Sequence, residues 1–362
     1  LNRYYLDYNS TSPLSDKVKN FLRSGDFDFL NPASLHSSGK SAKKIWNEST
    51  QNLKNQLELK NHELIVTSCA SESLSQLIQT ARENDYLMIY SPTDHAAIVK
   101  NVEQIESYSM PITKAGELDV EKVILDLKNH PKKKMIFFTM VHNETGWVWD
   151  LSLALKLKNE LDAIIVVDAV QAIGKVENLK LDAGLDAYVF SPHKWGGMKG
   201  VGLTFIKESI KVSSLIKGGA QQSGLRAGTQ NVLGLITAEL ALHDVANNEE
   251  IKKLRLFRDQ FKNELKKIAN IKVFDFKHSN ANTIFLGLPK RGDQVLPILD
   301  INGFEVSFGS ACSSGTAVES HVMKALGENQ YLHHSLRISL GSKNYSNELI
   351  SNFISVLQKA IS

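Results

Sequence analysis

Two cysteines, Cys69 and Cys312, are all that 362 residues contain. They do not make a framework of cross-links, and no CxxC pair marks a zinc site. Sparse cysteine fits a reducing, cytoplasmic setting. No apolar stretch approaches the roughly 18 residues that a membrane helix needs. The opening Leu1-Asn2-Arg3-Tyr4-Tyr5 does not read as a signal peptide. There is little charge imbalance either: a net +3 gives no reason to expect nucleic acid or an anionic membrane as partner. A GxGxxG turn after a strand and a Walker loop are both missing, so neither a nicotinamide fold nor a nucleotide-phosphate loop is supported. Repeats and low-complexity segments are absent too, and the Lys132–Lys134 run reads as a solvated loop.

What is present is an alternation. Apolar runs at Glu63–Ser68, Tyr86–Ser91, Lys134–Val141, Ala163–Asp168, Ala187–Ser191 and Val201–Lys207 read as strands buried on both faces. Amphipathic stretches such as Asp94–Glu106, Val120–Lys128 and Leu151–Leu161 separate them. The pattern predicts an α/β domain over 15–249, built on a mainly parallel sheet. A charged helix at Glu250–Ile268 opens a different region. Strand-like runs follow at Ile271–Phe276, Asn282–Leu288, Phe304–Phe308 and Leu336–Leu340. Leu349, Ile350, Phe353, Ile354 and Leu357 then recur at helical spacing. This predicts a smaller α+β domain over 250–362, which residues 1–14 join.

Two strand ends carry chemistry. Ala163–Val167 is five apolar residues ending in Asp168, and ligands of α/β sheets sit at carboxyl ends of strands. A buried acid there suits a pyridine ring, whose nitrogen it keeps protonated. Taken alone, Asp168 would more simply be a helix cap. Twenty-six residues on, the run Ala187–Ser191 ends in Ser191-Pro-His193-Lys194-Trp-Gly-Gly197. A lysine at such a place can form an imine with an aldehyde cofactor, and Ser191 and His193 can bind a phosphate.

Asp168-Ala-Val-Gln171 with Ser191-Pro-His193-Lys194 resembles the class V group of fold-type I pyridoxal-phosphate enzymes. Tyr5–Pro13, Asn31–Gly39, Thr67–Ser73, Thr93-Asp-His95, Val141–Gly146, Gly224–Thr229, Gly309–Ser314 and Ser335–Ser339 then resemble, in order, the motifs of the cysteine desulfurases. The resemblance implies a large domain with a seven-stranded sheet and a cysteine-bearing loop on the small domain. It implies that Lys194 anchors the cofactor and shuttles a proton. Asp168 would face the ring nitrogen, Gln171 would donate to the ring phenolate, and His95 would stack on the ring. Ala70, Ser71, Ser191 and His193 would hold the phosphate, with Thr229 reaching it from the second subunit of a homodimer. Asn143 would sit beside ring and substrate, and Arg337 would clamp the substrate carboxylate.

Cys312 sets the implied reaction. It lies in a small, polar stretch, Gly309-Ser-Ala-Cys-Ser-Ser-Gly-Thr316, that reads as a loop rather than a core segment. Its thiolate would take sulfur from L-cysteine, leaving alanine, and pass it from a persulfide to an acceptor protein. The stretch from Cys312 to Gly327 has the length of the family's long-loop subgroup. Cys69 stands where the family usually has glycine and is given no catalytic role. Gly218-Gly-Ala220-Gln-Gln222-Ser223 departs from the family's charged pattern, which leaves the acceptor and pathway open. A selenocysteine lyase or other class V lyase or aminotransferase is the alternative chemistry. A silent homologue serving as a binding subunit is the alternative of another kind, and retention of Lys194, Asp168 and Cys312 speaks against it.

Overall fold

The structure, a computed structural model, describes residues 3–26, 30–102, 105–308, 319–341 and 346–362. After β1 (Tyr4–Tyr5), seven strands follow: β2 (His62–Thr67), β3 (Leu87–Tyr90), β4 (Ser107–Ser109), β5 (Lys134–Thr139), β6 (Ala163–Asp168), β7 (Ala187–Phe190) and β8 (Gly202–Lys207). They form one sheet in the order β2-β8-β7-β6-β5-β3-β4. From β7 to β4 neighbours run parallel, while β8 is antiparallel to both β7 and β2. The sheet is thus mainly parallel, as expected from its continuously apolar strands. Every side chain of β5 and β7 is buried, because helices cover both faces. One core cluster gathers around Ile136, Phe138, Val167 and Phe190, and the other around Met135, Phe137, Val166 and Val189. These are alternating residues of the same strands, one set for each face.

The helices between strands begin with side-chain caps where the sequence offers them. Asp150 accepts from the Ser152 amide at the start of Leu151–Leu161, and Asp119 from Lys122 at Val120–Leu127. The helix Asn248–Leu265 carries a full capping box made by Asn247 and Glu250. Beyond it, β9 (Lys272–Val273), β10 (Thr283–Gly287) and β12 (Ser335–Ser339) form an antiparallel sheet, and β11 (Phe304–Glu305) pairs with β1 in parallel. A third core cluster gathers this region, joining Leu6 to Phe261, Ile338 and Phe353.

The N-terminal segment lies between these bodies. Tyr8 N donates to Ser339 O at 3.2 Å on one side, and Ser12 Oγ to Lys194 O at 2.7 Å on the other. Chain ends that are far apart in sequence therefore meet beside the Lys194 turn.

Candidate active site

Carboxyl ends of β5, β6 and β7 and the start of the helix Ala70–Glu83 converge on one cavity of about 210 Å³. Ten of the twelve residues singled out from sequence line it: Ala70, Ser71, His95, Asn143, Asp168, Gln171, Ser191, His193, Lys194 and Arg337. Thr229 is exposed and is not part of this lining within the single chain. Cys312 lies outside the described residues.

Asp168 ends β6, and its Oδ1 accepts from the Val170 amide at 3.0 Å. Burial pushes its pKa up to about 6, while the Val170 hydrogen bond and the charge of Lys194 act the other way. Lys194 closes the short turn Pro192–Lys194 after β7, with proline at the turn's start. Its Nζ donates to the carbonyls of Asn9 at 2.8 Å and Ser10 at 2.6 Å. Gln171 Nε2 donates to the same Asn9 carbonyl at 2.9 Å.

His95 begins the turn into the helix Ala96–Val102, and its Nδ1 accepts from the Ala97 amide at 3.1 Å. Burial, then the nearby Lys194, lowers its pKa to about 4, so it is neutral at ordinary pH. Asp94, just before it, is held by the Ser91 amide at 2.8 Å and the Thr139 hydroxyl at 2.6 Å. Burial pushes Asp94 up to about 7. His193 Nδ1 lies 3.0 Å from the Thr11 hydroxyl, and burial lowers this imidazole to about 4.

Ala70 and Ser71 form the first turn of their helix, whose cap is the Cys69 sulfur accepting from Glu72 N at 3.4 Å. The exposed amides of that turn and the helix dipole favour an anion. Gly202 in β8 makes this close approach possible. A Cβ there would come within 2.3 Å of Thr67 Oγ1 and 2.4 Å of the Cys69 carbonyl carbon.

Arg337 stands in the middle of β12, buried. Its Nη2 donates to Asp7 Oδ1 at 2.7 Å and its Nη1 to the Asn143 carbonyl at 3.1 Å. Nε is buried with no partner among the described residues. The sequence reading named Arg337 but not Asp7, Asn9 or Lys175. All three have partners at the edge of the pocket, and the signal for the first two lay inside the Tyr5–Pro13 motif.

The donor set fits pyridoxal phosphate. A helix N-terminus with Ser71 suits the phosphate, a buried carboxyl suits the ring nitrogen, and a lysine lines the same cavity. Arg337 Nε, a buried donor lacking an acceptor, suits a substrate carboxylate.

The aminotransferase class-V family matches residues 4–351. A protein of Dictyoglomus turgidum named cysteine desulfurase IscS is 31% identical over 98% of this chain and 95% of its own length. A cysteine desulfurase of Nostoc sp. is 30% identical over 93% of this chain and 87% of its own. Among solved structures, a NifS-like protein from Rickettsia africae aligns over 99% of both chains with a TM-score of 0.89 at 24% identity. That last likeness concerns the fold.

Proposed function

The chain belongs to the aminotransferase class-V family and stands among its cysteine desulfurases, and we propose that it moves the sulfur of L-cysteine onto Cys312 as a persulfide. L-alanine is the other product, and an acceptor protein in iron–sulfur assembly or another sulfur-requiring pathway takes the sulfur. The observation that carries this reading is the meeting of Asp168, Lys194, His95 and Arg337 in one cavity.

The enzyme is pyridoxal-phosphate dependent, and the bound cofactor supplies an electron sink for the carbanion formed at the substrate Cα. Asp168 would hold the ring nitrogen, Ala70, Ser71, Ser191 and His193 the phosphate, and His95 and Gln171 the ring. Lys194 would anchor the cofactor. As a free amine its Nζ donates to the carbonyls of Asn9 and Ser10, which would orient it for the proton transfer. Arg337 offers its spare N–H groups to the substrate carboxylate, while Asp7 keeps the guanidinium in place. His95, neutral by burial, packs without bringing a positive charge beside Lys194.

The sulfur step belongs to Cys312. Its thiolate attacks the substrate Sγ; the S–S bond forms as the Cβ–S bond breaks. The electron pair goes to carbon, which takes up a proton to become the methyl group of alanine. Thr229, exposed in the single chain, is read as completing the phosphate site of a second copy in a homodimer.

The test compares wild type with Cys312→Ala. Both should show the cofactor's yellow absorbance, and only wild type should release sulfide from L-cysteine in the presence of reductant. Equal sulfide release by the two proteins would refute the role of Cys312. A dimer in sedimentation is expected; a monomer alone would remove the proposed role of Thr229.

A further inference from the structure

Behind Gln171 lies a buried lysine that the proposed reaction does not use. Lys175 is 4% exposed. Its Nζ donates to two amide oxygens, Asn9 Oδ1 at 3.1 Å and Gln171 Oε1. Charged groups around it are Lys194 and Arg337, which repel it, and Asp7, which attracts it. Burial without a close counter-charge pulls its pKa well below the usual lysine range, and its N–H groups still need acceptors.

The chemistry of the partners supplies one. A carboxamide is nearly symmetric in shape, and hydrogen bonds decide which end is oxygen. Lys175 gives its N–H groups to Asn9 Oδ1 and Gln171 Oε1, so it meets the oxygen end of the Gln171 amide. Nε2 is then turned the other way, and it gives one hydrogen to Asn9 O at 2.9 Å. Its second hydrogen has no partner among the described residues, and Gln171 lines the cavity. Asn9 cannot reverse to compensate. Its Nδ2 donates to Asn143 O at 3.2 Å and Thr283 Oγ1 at 2.8 Å, and its Oδ1 also accepts from Asn282 Nδ2 at 3.1 Å.

We infer that Lys175 is a positioning residue for this reaction: it fixes the Gln171 amide so that an N–H, not the oxygen, is offered to the cofactor's ring oxygen. The inference rests on the proposed placing of Gln171 against the ring. The four-residue separation of Gln171 and Lys175 puts both on one side of the turns that follow Ala169.

The experiment is a double-mutant cycle on the cofactor-loaded protein: wild type, Lys175→Met, Gln171→Ala and the double variant. Methionine matches lysine in length and has no N–H. Readouts are the pH midpoint of the bound cofactor's absorption band, the rate of cofactor loss, and a melting curve for each protein. With Lys175→Met only the Asn9 carbonyl still holds Nε2, and the amide can more readily turn its oxygen to the ring oxygen. Loss of that donor should move the midpoint upward by about one pH unit, because the deprotonated form carries more negative charge on the ring oxygen. Cofactor loss should quicken by roughly tenfold. In the Gln171→Ala background, Lys175→Met should move neither quantity.

An equal shift in both backgrounds would overturn the inference, since Lys175 would then act through its charge alone. No shift in a normally melting Lys175→Met protein would overturn it too. Should that variant fail to fold, Lys175→Gln returns an N–H to the same place, and a midpoint near that of wild type is expected; a full one-unit shift would refute the reasoning. If Gln171→Ala itself leaves the midpoint where wild type has it, the placing of Gln171 against the ring fails first, and the role of Lys175 falls with it.

Discussion

Asp168→Asn should make the cofactor-free protein more stable and the cofactor-binding protein worse. In the folded chain Asp168 is a buried carboxyl whose pKa is pushed from 3.8 to about 6. Between those values the folded state binds more protons than the unfolded one, so stability falls as pH rises through that window. Holding the carboxylate charged in the folded protein at pH 7.5 then costs about 3 kcal/mol. Asparagine has no charge to hold, keeps an oxygen for the Val170 amide, and borders a cavity with room for water. Asp94, which Asp168 pushes further upward, is relieved as well. For a chain of 362 residues the gain corresponds to a melting point higher by about 4 °C at pH 7.5. At pH 4.5 most of the wild-type penalty is already removed by protonation, and the gain should fall to about 1 kcal/mol. Affinity for pyridoxal phosphate should drop roughly 100-fold, since the charge assigned to the ring nitrogen is gone. Scanning calorimetry of the cofactor-free pair at both pH values decides the matter. A variant no more stable than wild type at pH 7.5, or one whose advantage is undiminished at pH 4.5, would refute the reasoning.

Gly202→Ala should cost about 1–3 kcal/mol in a melting experiment, because its Cβ meets the backbone at Cys69. It should also narrow the preference for pyridoxal phosphate over pyridoxal; an unchanged ratio would contradict the placing of the phosphate at that helix start. His95, lowered to about 4, should show no imidazole titration by NMR between pH 5.5 and 8; a midpoint near the ordinary 6.5 would contradict its burial. Asp7→Asn should raise the KM for L-cysteine about tenfold and leave kcat within about twofold, since it loosens the guanidinium assigned to the substrate carboxylate. Loss of kcat alone would point to another role for that pair.

Much of the site was legible because its residues stand at the ends of strands. A run such as Ala163–Val167 is conspicuous, and the residue that ends it falls at the carboxyl edge of the sheet by geometry alone. Direction was less legible. The run Gly202–Lys207 is as apolar as its parallel neighbours, yet it lies antiparallel, because burial on both faces erases the difference in pattern. Strand bounds moved for a related reason: Ile271–Phe276 reads as six residues of strand, but only Lys272–Val273 pair, where β10 offers a partner.

Asp7, Asn9 and Lys175 were not legible as a group, and the cause is topological. Asp7 meets Arg337 across 330 positions, and Lys175 meets Asn9 across 166. Nothing local marks such a contact; it exists only after β1 has paired with β11 and the chain has been carried past Ser339 to the Lys194 turn. Yet this segment bears on both halves of the proposed reaction. Asp7 fixes the guanidinium assigned to the substrate carboxylate. The Asn9 carbonyl receives both Lys194 Nζ and Gln171 Nε2, the groups assigned to the cofactor. Asn9 N and Nδ2 are in turn held by Ser339 Oγ at 2.9 Å and Thr283 Oγ1 at 2.8 Å, on β12 and β10. Strands of the C-terminal sheet therefore set the position of acceptors used by the large sheet's lysine. A buried network in which each member is satisfied by the next shifts as a unit rather than bond by bond. The residues assigned to substrate and cofactor are thus tied to one short stretch of chain, and a change at either sheet that moves Asn9 reaches Lys194 without touching it.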